Sequence, residues 1–159
     1  RLMAALLKWQ RRRHGARGQS PLVHKLTFEA WARSVPDART DFDWLSADPA
    51  QVKAYIDDPK CGFQCTTATW LALLSGLADV QSSKGLSRLP ARLPILLRGG
   101  RQDPMSGGGK GMDRLQQVLS RRRLPVERMD CPRGRHEILN DFCAPEVRQT
   151  LLEWLNRRI

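Results

Sequence analysis

Two short polar segments contain the residue types that hydrolytic chemistry requires. The first, residues 98–104, reads RGGRQDP and contains Asp103, and the second, residues 133–137, reads RGRHE and contains His136. A carboxylate that accepts the Nδ1–H of an imidazole fixes the tautomer of the ring and stabilises the imidazolium. An imidazole held in this way can deprotonate a hydroxyl nucleophile as a general base. Asp103 and His136 are therefore candidate catalytic residues.

Each of these residues also has a structural interpretation. An Asp that follows two glycines is often only a turn former, and a single His is usually structural. The pattern leaves both interpretations open, because catalysis is a property of a site and is not fixed by the fold. The catalytic interpretation requires the imidazole of His136 and the carboxylate of Asp103 to meet in space.

The elements around these segments follow a strand–helix–strand–helix order. Leu93–Leu97 is a short apolar run bounded by Gly99 and Gly100, which predicts a buried strand, and Val126–Met129 is predicted to be a second, shorter strand. Helices are predicted over residues 110–123 and 145–158. The second helix is expected to bury its large apolar residues, namely Val147, Leu151, Leu152, Trp154 and Leu155. This order implies two parallel strands joined by a crossover, which brings both polar segments to the carboxyl edge of the sheet. We therefore expect the two candidate side chains to lie close together.

Length and composition exclude several classes of protein. The chain has 159 residues, of which 41% are hydrophobic, enough for a packed core, and it has no apolar run near the roughly 20 residues that span a bilayer. Four cysteines are too few for a disulfide-stapled secreted mini-domain and are not spaced like zinc ligands. Residues 107–111 lack the pattern of a phosphate-binding loop. We expect a cytoplasmic protein with no metal and no cofactor.

Positive charge is concentrated at the amino terminus. The chain contains 27 Lys and Arg against 16 Asp and Glu, a net charge of +11, and residues 1–25 contain seven basic residues and no acidic one. A helical apolar spacing precedes the cluster Arg11–Arg13 and is formed by Leu2, Ala5, Leu6 and Trp9. Such a basic helix attracts phosphates, whether on nucleic acid or on anionic lipid headgroups, and its charge alone does not choose between the two. Nucleic acid is the less favoured partner, because no known binding motif is present.

The motifs of the C-terminal half resemble those of the α/β-hydrolase superfamily. Residues 93–104, LPILLRGGRQDP, and residues 134–140, GRHEILN, look like the acid and histidine motifs of monoacylglycerol lipases and lysophospholipases. That branch includes the serine aminopeptidase-like hydrolases. Residues 40–46, TDFDWLS, and residues 57–63, DDPKCGF, are similar to the lid of the same branch. The resemblance covers nearly the whole chain.

The resemblance implies an α/β fold class, namely the C-terminal part of an α/β-hydrolase fold preceded by a helical lid. It implies a lid segment over residues 1–86 and an α/β segment with two strands and two helices over residues 87–159. By matching position, Asp103 would be the acid and His136 the base of a catalytic triad. The residues proposed for an acyl-chain pocket in the lid are Phe42, Trp44 and Phe63. As part of such a lid, the basic helix over residues 1–17 is expected to contact a membrane peripherally.

One motif of the family does not occur in this sequence. The nucleophilic serine of these enzymes lies in a G-x-S-x-G pentapeptide that precedes the acid and the histidine, and the 159 residues contain none. We therefore expect a fragment that hydrolyses lipid esters or lysophospholipids only when an N-terminal half completes it. Such a half, or a homo-oligomer, is the expected protein partner. The alternative is a non-enzymatic basic module that binds anionic lipid or nucleic acid.

Overall fold

The computed structural model describes residues 2–158, which form two compact units. The first unit contains the chain up to Glu29 together with Gly62–Ala91, and the second contains Ala30–Cys61 and the chain from Arg92 onward. The predicted division into a lid and an α/β segment follows other boundaries and stays a prediction. Within the described residues, no helix combines the length and the apolar character that crossing a bilayer requires.

The first part of the described chain contains helices only, and the second part contains two strands together with helices. The elements are α1 (Leu2–His14), α2 (Pro21–Leu26), α3 (Phe28–Arg33), α4 (Pro49–Asp57), α5 (Thr67–Val80), α6 (Ser83–Ser87), β1 (Ile95–Gly100), α7 (Lys110–Arg121), β2 (Val126–Cys131), a 3₁₀ helix (Ile138–Asn140) and α8 (Ala144–Asn156).

Side-chain caps fix where several helices of the first unit begin. Ahead of α2, α5 and α6, a hydroxyl accepts a hydrogen bond from the backbone N–H three residues later, and the capping residues are Ser20, Thr66 and Ser82. A hydroxyl in this position satisfies one of the N–H groups that a helix start leaves unpaired. The fully buried residues Leu7 and Val23 form part of the core of this unit.

Helix α1 buries a different face from the one that its apolar spacing predicts. Its buried residues are Leu7 and Gln10, which share a face because they are three positions apart. Leu2 and Trp9 are instead 90% and 47% exposed. The guanidinium carbon of Arg13 lies 5.1 Å from the centre of the Trp9 ring, within the range of a cation–π contact. Exposed apolar side chains and arginines therefore occur together on this helix.

The second unit contains a two-stranded parallel sheet, as the strand–helix–strand order predicts. Strands β1 and β2 pair from Ile95 opposite Val126 to Gly100 opposite Cys131. Each strand ends later than predicted, because backbone hydrogen bonds continue the pairing whether or not the side chains are apolar. Helix α7 connects the two strands, so the segments that follow β1 and β2 leave the sheet at the same edge.

A network of ion pairs ties α7 to this sheet. The mostly buried Arg128 places Nη1 2.6 Å from Asp113 Oδ1 and Nε 2.9 Å from Asp130 Oδ1. Arg101 Nε lies 2.6 Å from Asp130 Oδ2, and its Nη1 lies 3.2 Å from Asp113 Oδ1. Because Arg101 directly follows β1, the network anchors the start of the segment that contains Asp103.

Helix α8 packs through one face only, which corrects the prediction that all of its large apolar residues are inside. Val147 is buried, and Leu151 and Trp154 are half-buried. Leu152 and Leu155, which were also predicted to be inside, are exposed. The three inward residues are spaced i, i+4 and i+7 and share one stripe of the helix, whereas the two leucines lie outside it.

Candidate active site

The two polar segments that follow β1 and β2 contact each other directly. The backbone N–H of Gln102 donates a hydrogen bond to the carbonyl oxygen of Gly134 at 2.9 Å. Gly100 permits this close approach, because a Cβ at its position would lie 2.1 Å from the carbonyl oxygen of Arg135 and 2.2 Å from that of Gly134. A side chain at residue 100 would therefore push the segments apart.

The acid and the base predicted from the sequence meet at this edge of the sheet. Nδ1 of His136 lies 3.3 Å from Oδ1 of Asp103, close enough for an ion pair but not aligned as a regular hydrogen bond. Such geometry is common for catalytic hydrogen bonds before they tighten in the transition state. The Asp103 side chain is 11% exposed and that of His136 is 33% exposed, so the acid is buried while the imidazole keeps an open side. The predicted proximity is confirmed, and the catalytic roles stay a prediction.

Backbone amides hold the carboxylate of Asp103 in place. Its Oδ1 accepts the N–H of Met105 at 2.9 Å, and its Oδ2 accepts the N–H of Ser106 at 3.1 Å. Burial by itself raises the pKa of Asp103, but the nearby imidazole of His136 and the hydrogen bond from Ser106 outweigh it, and the pKa is lowered below its usual value. Asp103 is therefore ionised at neutral pH.

The ionised acid in turn changes the pKa of the base. The nearby carboxylate of Asp103 raises the pKa of His136 above its usual value of 6.5, although desolvation of the ring opposes this effect. A raised pKa means that the protonated imidazole is stabilised relative to the neutral ring. Stabilisation of the imidazolium is what a general base in acyl transfer requires, because the ring carries the nucleophile's proton during the reaction.

A segment from much earlier in the chain also contacts His136. The N–H of His136 donates to the carbonyl of Trp44 at 3.4 Å, and the N–H of Glu137 donates to the carbonyl of Leu45 at 2.8 Å. The Trp44 ring lies 5.3 Å from the imidazole, centre to centre, with 46° between the planes. Trp44 is only 4% exposed and also packs on Trp31 at 5.2 Å. It therefore contacts the candidate base as a buried side chain.

Two residues that sequence reasoning missed bind this earlier segment. Arg135 Nη1 donates to the carbonyls of Asp43 and Ser46, and the buried carboxylate of Asp141 accepts the N–H of Ala47. Arg135 lies inside the motif of His136, residues 134–140, but was not proposed as a site residue, and Asp141 directly follows that motif. Their closeness to His136 in the sequence is the one signal that points to them.

The remaining predicted site residues lie elsewhere. Phe42 packs on Tyr55 with ring centres 5.2 Å apart, and Phe63 belongs to the first compact unit, where its side chain is exposed. The structure thus places Trp44 and Asp103 on His136, and the roles of the three aromatic residues in substrate binding stay predictions. Among residues 2–158, no group of three or more His, Cys, Asp or Glu is arranged to hold a metal ion.

The chain matches one family of known proteins and resembles solved structures. The family model described as serine aminopeptidase, S33, matches residues 2–142. A highly thermostable carboxyl esterase from Bacillus coagulans, solved in complex with glycerol, has a TM-score of 0.85 at 21% identity, over 98% of this chain and 51% of the esterase. A lipase in its open form has a TM-score of 0.83 at 21% identity, over 96% of this chain and 50% of the lipase. No curated protein matches the chain.

These similarities establish the fold. Identities of 21% with high TM-scores show a shared architecture of helices and parallel strands, which confirms the predicted α/β fold class. The chain spans about half the length of the esterase and the lipase that it resembles.

Proposed function

The chain belongs to the serine aminopeptidase, S33, family of α/β-hydrolases, and from this premise we propose that it forms the lid and C-terminal half of a serine hydrolase that cleaves carboxylic esters of lipids. The observation that carries the proposal is the 3.3 Å contact between His136 Nδ1 and Asp103 Oδ1. A buried carboxylate beside a partly open imidazole is the acid–base pair on which serine-dependent acyl transfer relies.

In the proposed reaction His136 acts as the general base. Its neutral Nε2 takes the proton of a seryl hydroxyl while the serine oxygen bonds to the carbonyl carbon of the ester. The imidazolium, stabilised by ionised Asp103, then gives that proton to the leaving alcohol as the ester C–O bond breaks. A water molecule attacks the acyl-enzyme with the same proton transfers and releases the carboxylic acid. The enzyme returns to its starting protonation state.

We propose that the serine and the oxyanion-hole donors come from a segment N-terminal to the residues described here. No G-x-S-x-G occurs in the 159 residues, and the esterase and lipase that resemble the chain are about twice as long. In α/β-hydrolases the nucleophile precedes both the acid and the histidine in the sequence. The chain alone is therefore expected to be inactive, and activity is expected once the N-terminal half is joined to it.

Monoacylglycerols and lysophospholipids are the proposed substrates. Support comes from the resemblance of residues 40–63 and 93–140 to that branch of the family and from the likeness to an esterase and a lipase. Phe42, Trp44 and Phe63 are the proposed contacts of the acyl chain. The family description also names peptidases, so an amide substrate belongs in any test of specificity.

Helix α1 is the proposed contact with the membrane that supplies these substrates. Leu2 and Trp9 are exposed, and the exposed cluster Arg11–Arg13 follows them on the same helix. Exposed apolar side chains next to cations suit the interface of a bilayer that contains anionic lipid. The protein would thus act as a peripheral enzyme at the cytoplasmic surface of a membrane.

Product release by the complete protein, with its N-terminal half, tests the proposal. The substrates are a monoacylglycerol, lysophosphatidylcholine and an aminoacyl p-nitroanilide, and His136→Ala is the inactive variant. We expect fatty acid from at least one lipid ester and none from the variant. Hydrolysis of the anilide alone would replace the esterase proposal with a peptidase. A protein that hydrolyses none of them but binds anionic vesicles would favour the non-enzymatic basic module.

A further inference from the structure

The loop that carries His136 is bound to residues 43–47, about 90 positions earlier in the chain. Arg135 Nη1 donates hydrogen bonds to the carbonyl oxygen of Asp43 at 2.6 Å and to that of Ser46 at 3.0 Å. Both accepting residues are buried. Without the Arg135 guanidinium, their carbonyl groups would lose hydrogen bonds that water cannot easily replace. One guanidinium nitrogen thus holds this segment at two points.

Asp141 binds the same segment from the other end of the loop. Its buried carboxylate accepts the N–H of Ala47 at 3.2 Å, that of Arg135 at 2.9 Å and that of Phe142 at 2.7 Å. Hydrogen bonds to an ionised carboxylate are roughly twice as strong as those between neutral groups. Asp141 therefore joins the backbone of the His136 loop to the backbone of residues 43–47.

This attachment determines what surrounds the imidazole. Trp44 lies in the sequence between the two residues whose carbonyls Arg135 binds. Its own carbonyl accepts the N–H of His136, and its ring lies 5.3 Å from the imidazole, centre to centre. The Trp44 ring is buried against Trp31 and cannot turn away without unpacking that contact. The imidazole is thus confined by the Trp44 ring while Asp103 holds its Nδ1.

We propose that Arg135 and Asp141 are positioning residues for His136, and that they act by holding the ring of Trp44 against the imidazole. The inference rests on the proposed function, because it takes His136 to be the catalytic base. In this proposal the orientation of the base depends on residues 43–47, which lie far upstream of the acid and the histidine in the sequence.

Arg135→Lys in the complete protein is the first test. Lysine keeps the positive charge but lacks the planar fork of donors, so a change in rate reports geometry and not charge. The matched control is Arg148→Lys, because the Arg148 guanidinium also donates to a backbone carbonyl, that of Leu139 at 3.3 Å, but at an exposed site. Rates are expressed as kcat per serine labelled to completion by excess fluorophosphonate, so that neither loss of folded protein nor slower labelling affects the result.

We expect kcat per labelled serine to fall about 10- to 100-fold in Arg135→Lys, because misplacing a catalytic group by about 1 Å costs on that order. KM should stay within about twofold of wild type, since the acyl-chain contacts are retained. Asp141→Asn should show the same loss of kcat, because it weakens the hold on the N–H groups of Ala47 and Arg135. The acidic limb of kcat/KM should move to lower pH in Arg135→Lys, as the imidazole loses its contact with Asp103.

An unchanged kcat per labelled serine and an unchanged acidic limb in Arg135→Lys and Asp141→Asn would overturn the inference. Should Arg135→Lys fail to fold, Asp141→Asn decides the question by the same readouts. Full hydrolysis by His136→Ala would overturn the proposed function itself. Loss of activity in His136→Ala, together with wild-type behaviour in the positioning variants, would overturn the positioning role alone.

Discussion

The imidazole of His136 and the carboxylate of Asp103 lie 3.3 Å apart although a helix and a complete strand separate them in the chain. Parallel pairing of β1 and β2 explains their contact, since both strands end at one edge of the sheet. Gly100 then lets the two segments that follow the strands touch. The pair is therefore a product of the sheet topology, and its chemistry and its packing can be tested separately.

Asp103→Asn is expected to lower kcat of the complete protein by about 10³- to 10⁴-fold, because the amide can neither fix the imidazole tautomer nor stabilise the imidazolium. The matched control is Asp57→Asn, which removes the charge of an exposed carboxylate paired with Lys53 on α4. Ester hydrolysis measures both variants. An Asp103→Asn protein within about tenfold of wild type would contradict the acid role.

The pH dependence of kcat/KM follows from the raised pKa of His136. The nearby carboxylate of Asp103 raises this pKa above 6.5, and the neutral imidazole is the active base. The rate should therefore increase with pH through a midpoint above 6.5. In Asp103→Asn the cause of the shift is removed, so the midpoint should move to lower pH in the residual activity. A midpoint that is the same in both proteins would contradict this explanation.

Gly100→Ala is expected to lower the free energy of unfolding by about 1–3 kcal/mol, as overpacking typically does. The added Cβ would lie about 2 Å from two backbone carbonyl oxygens, which cannot move as a flexible side chain would. Gly76→Ala in α5 is the matched control, because its Cβ meets nothing within 4 Å, and it should raise stability by about 0.5–1 kcal/mol. Urea denaturation measures both, and equal stability of the two variants would contradict the close approach.

Replacement of Arg11, Arg12 and Arg13 by Glu is expected to weaken binding to vesicles of anionic lipid by at least roughly 10²-fold at low salt, since each basic residue near the surface contributes about 1 kcal/mol. Replacement of Arg121, Arg122 and Arg123 by Glu changes the charge equally at the end of α7 and is the control. Flotation measures both variants. Equal loss in the two would show that total charge, and not α1, governs binding.

Much of the second unit could be predicted from the sequence. The parallel pairing, the crossover helix beginning at Lys110 and the meeting of the acid and the base all follow from apolar runs, glycines and connection rules. Element ends were less predictable: β2 continues to Cys131 because its backbone pairs with β1, which side-chain patterns do not reveal. Helix α6 was missed because a helix of five residues has too little periodicity to detect.

The surroundings of His136 could not be predicted in the same way. Arg135 and Asp141 bind backbone groups of residues 43–47. Because nearly every residue has a backbone carbonyl and N–H, the sequence does not show which of them a distant side chain binds. The buried face of α1 shows a related limit, since Gln10 is buried while Trp9 is exposed. Local spacing favours one apolar face, but the packing of the whole unit decides which face is used.

The most direct test of the central claim is labelling of the complete protein by a fluorophosphonate that reacts with activated serines. Wild type and His14→Ala, which removes an exposed histidine of α1, are expected to label at the same rate. His136→Ala is expected to lose labelling, because no other group would take the proton of the serine. Labelling of His136→Ala at the wild-type rate would contradict the assignment of this imidazole as the catalytic base.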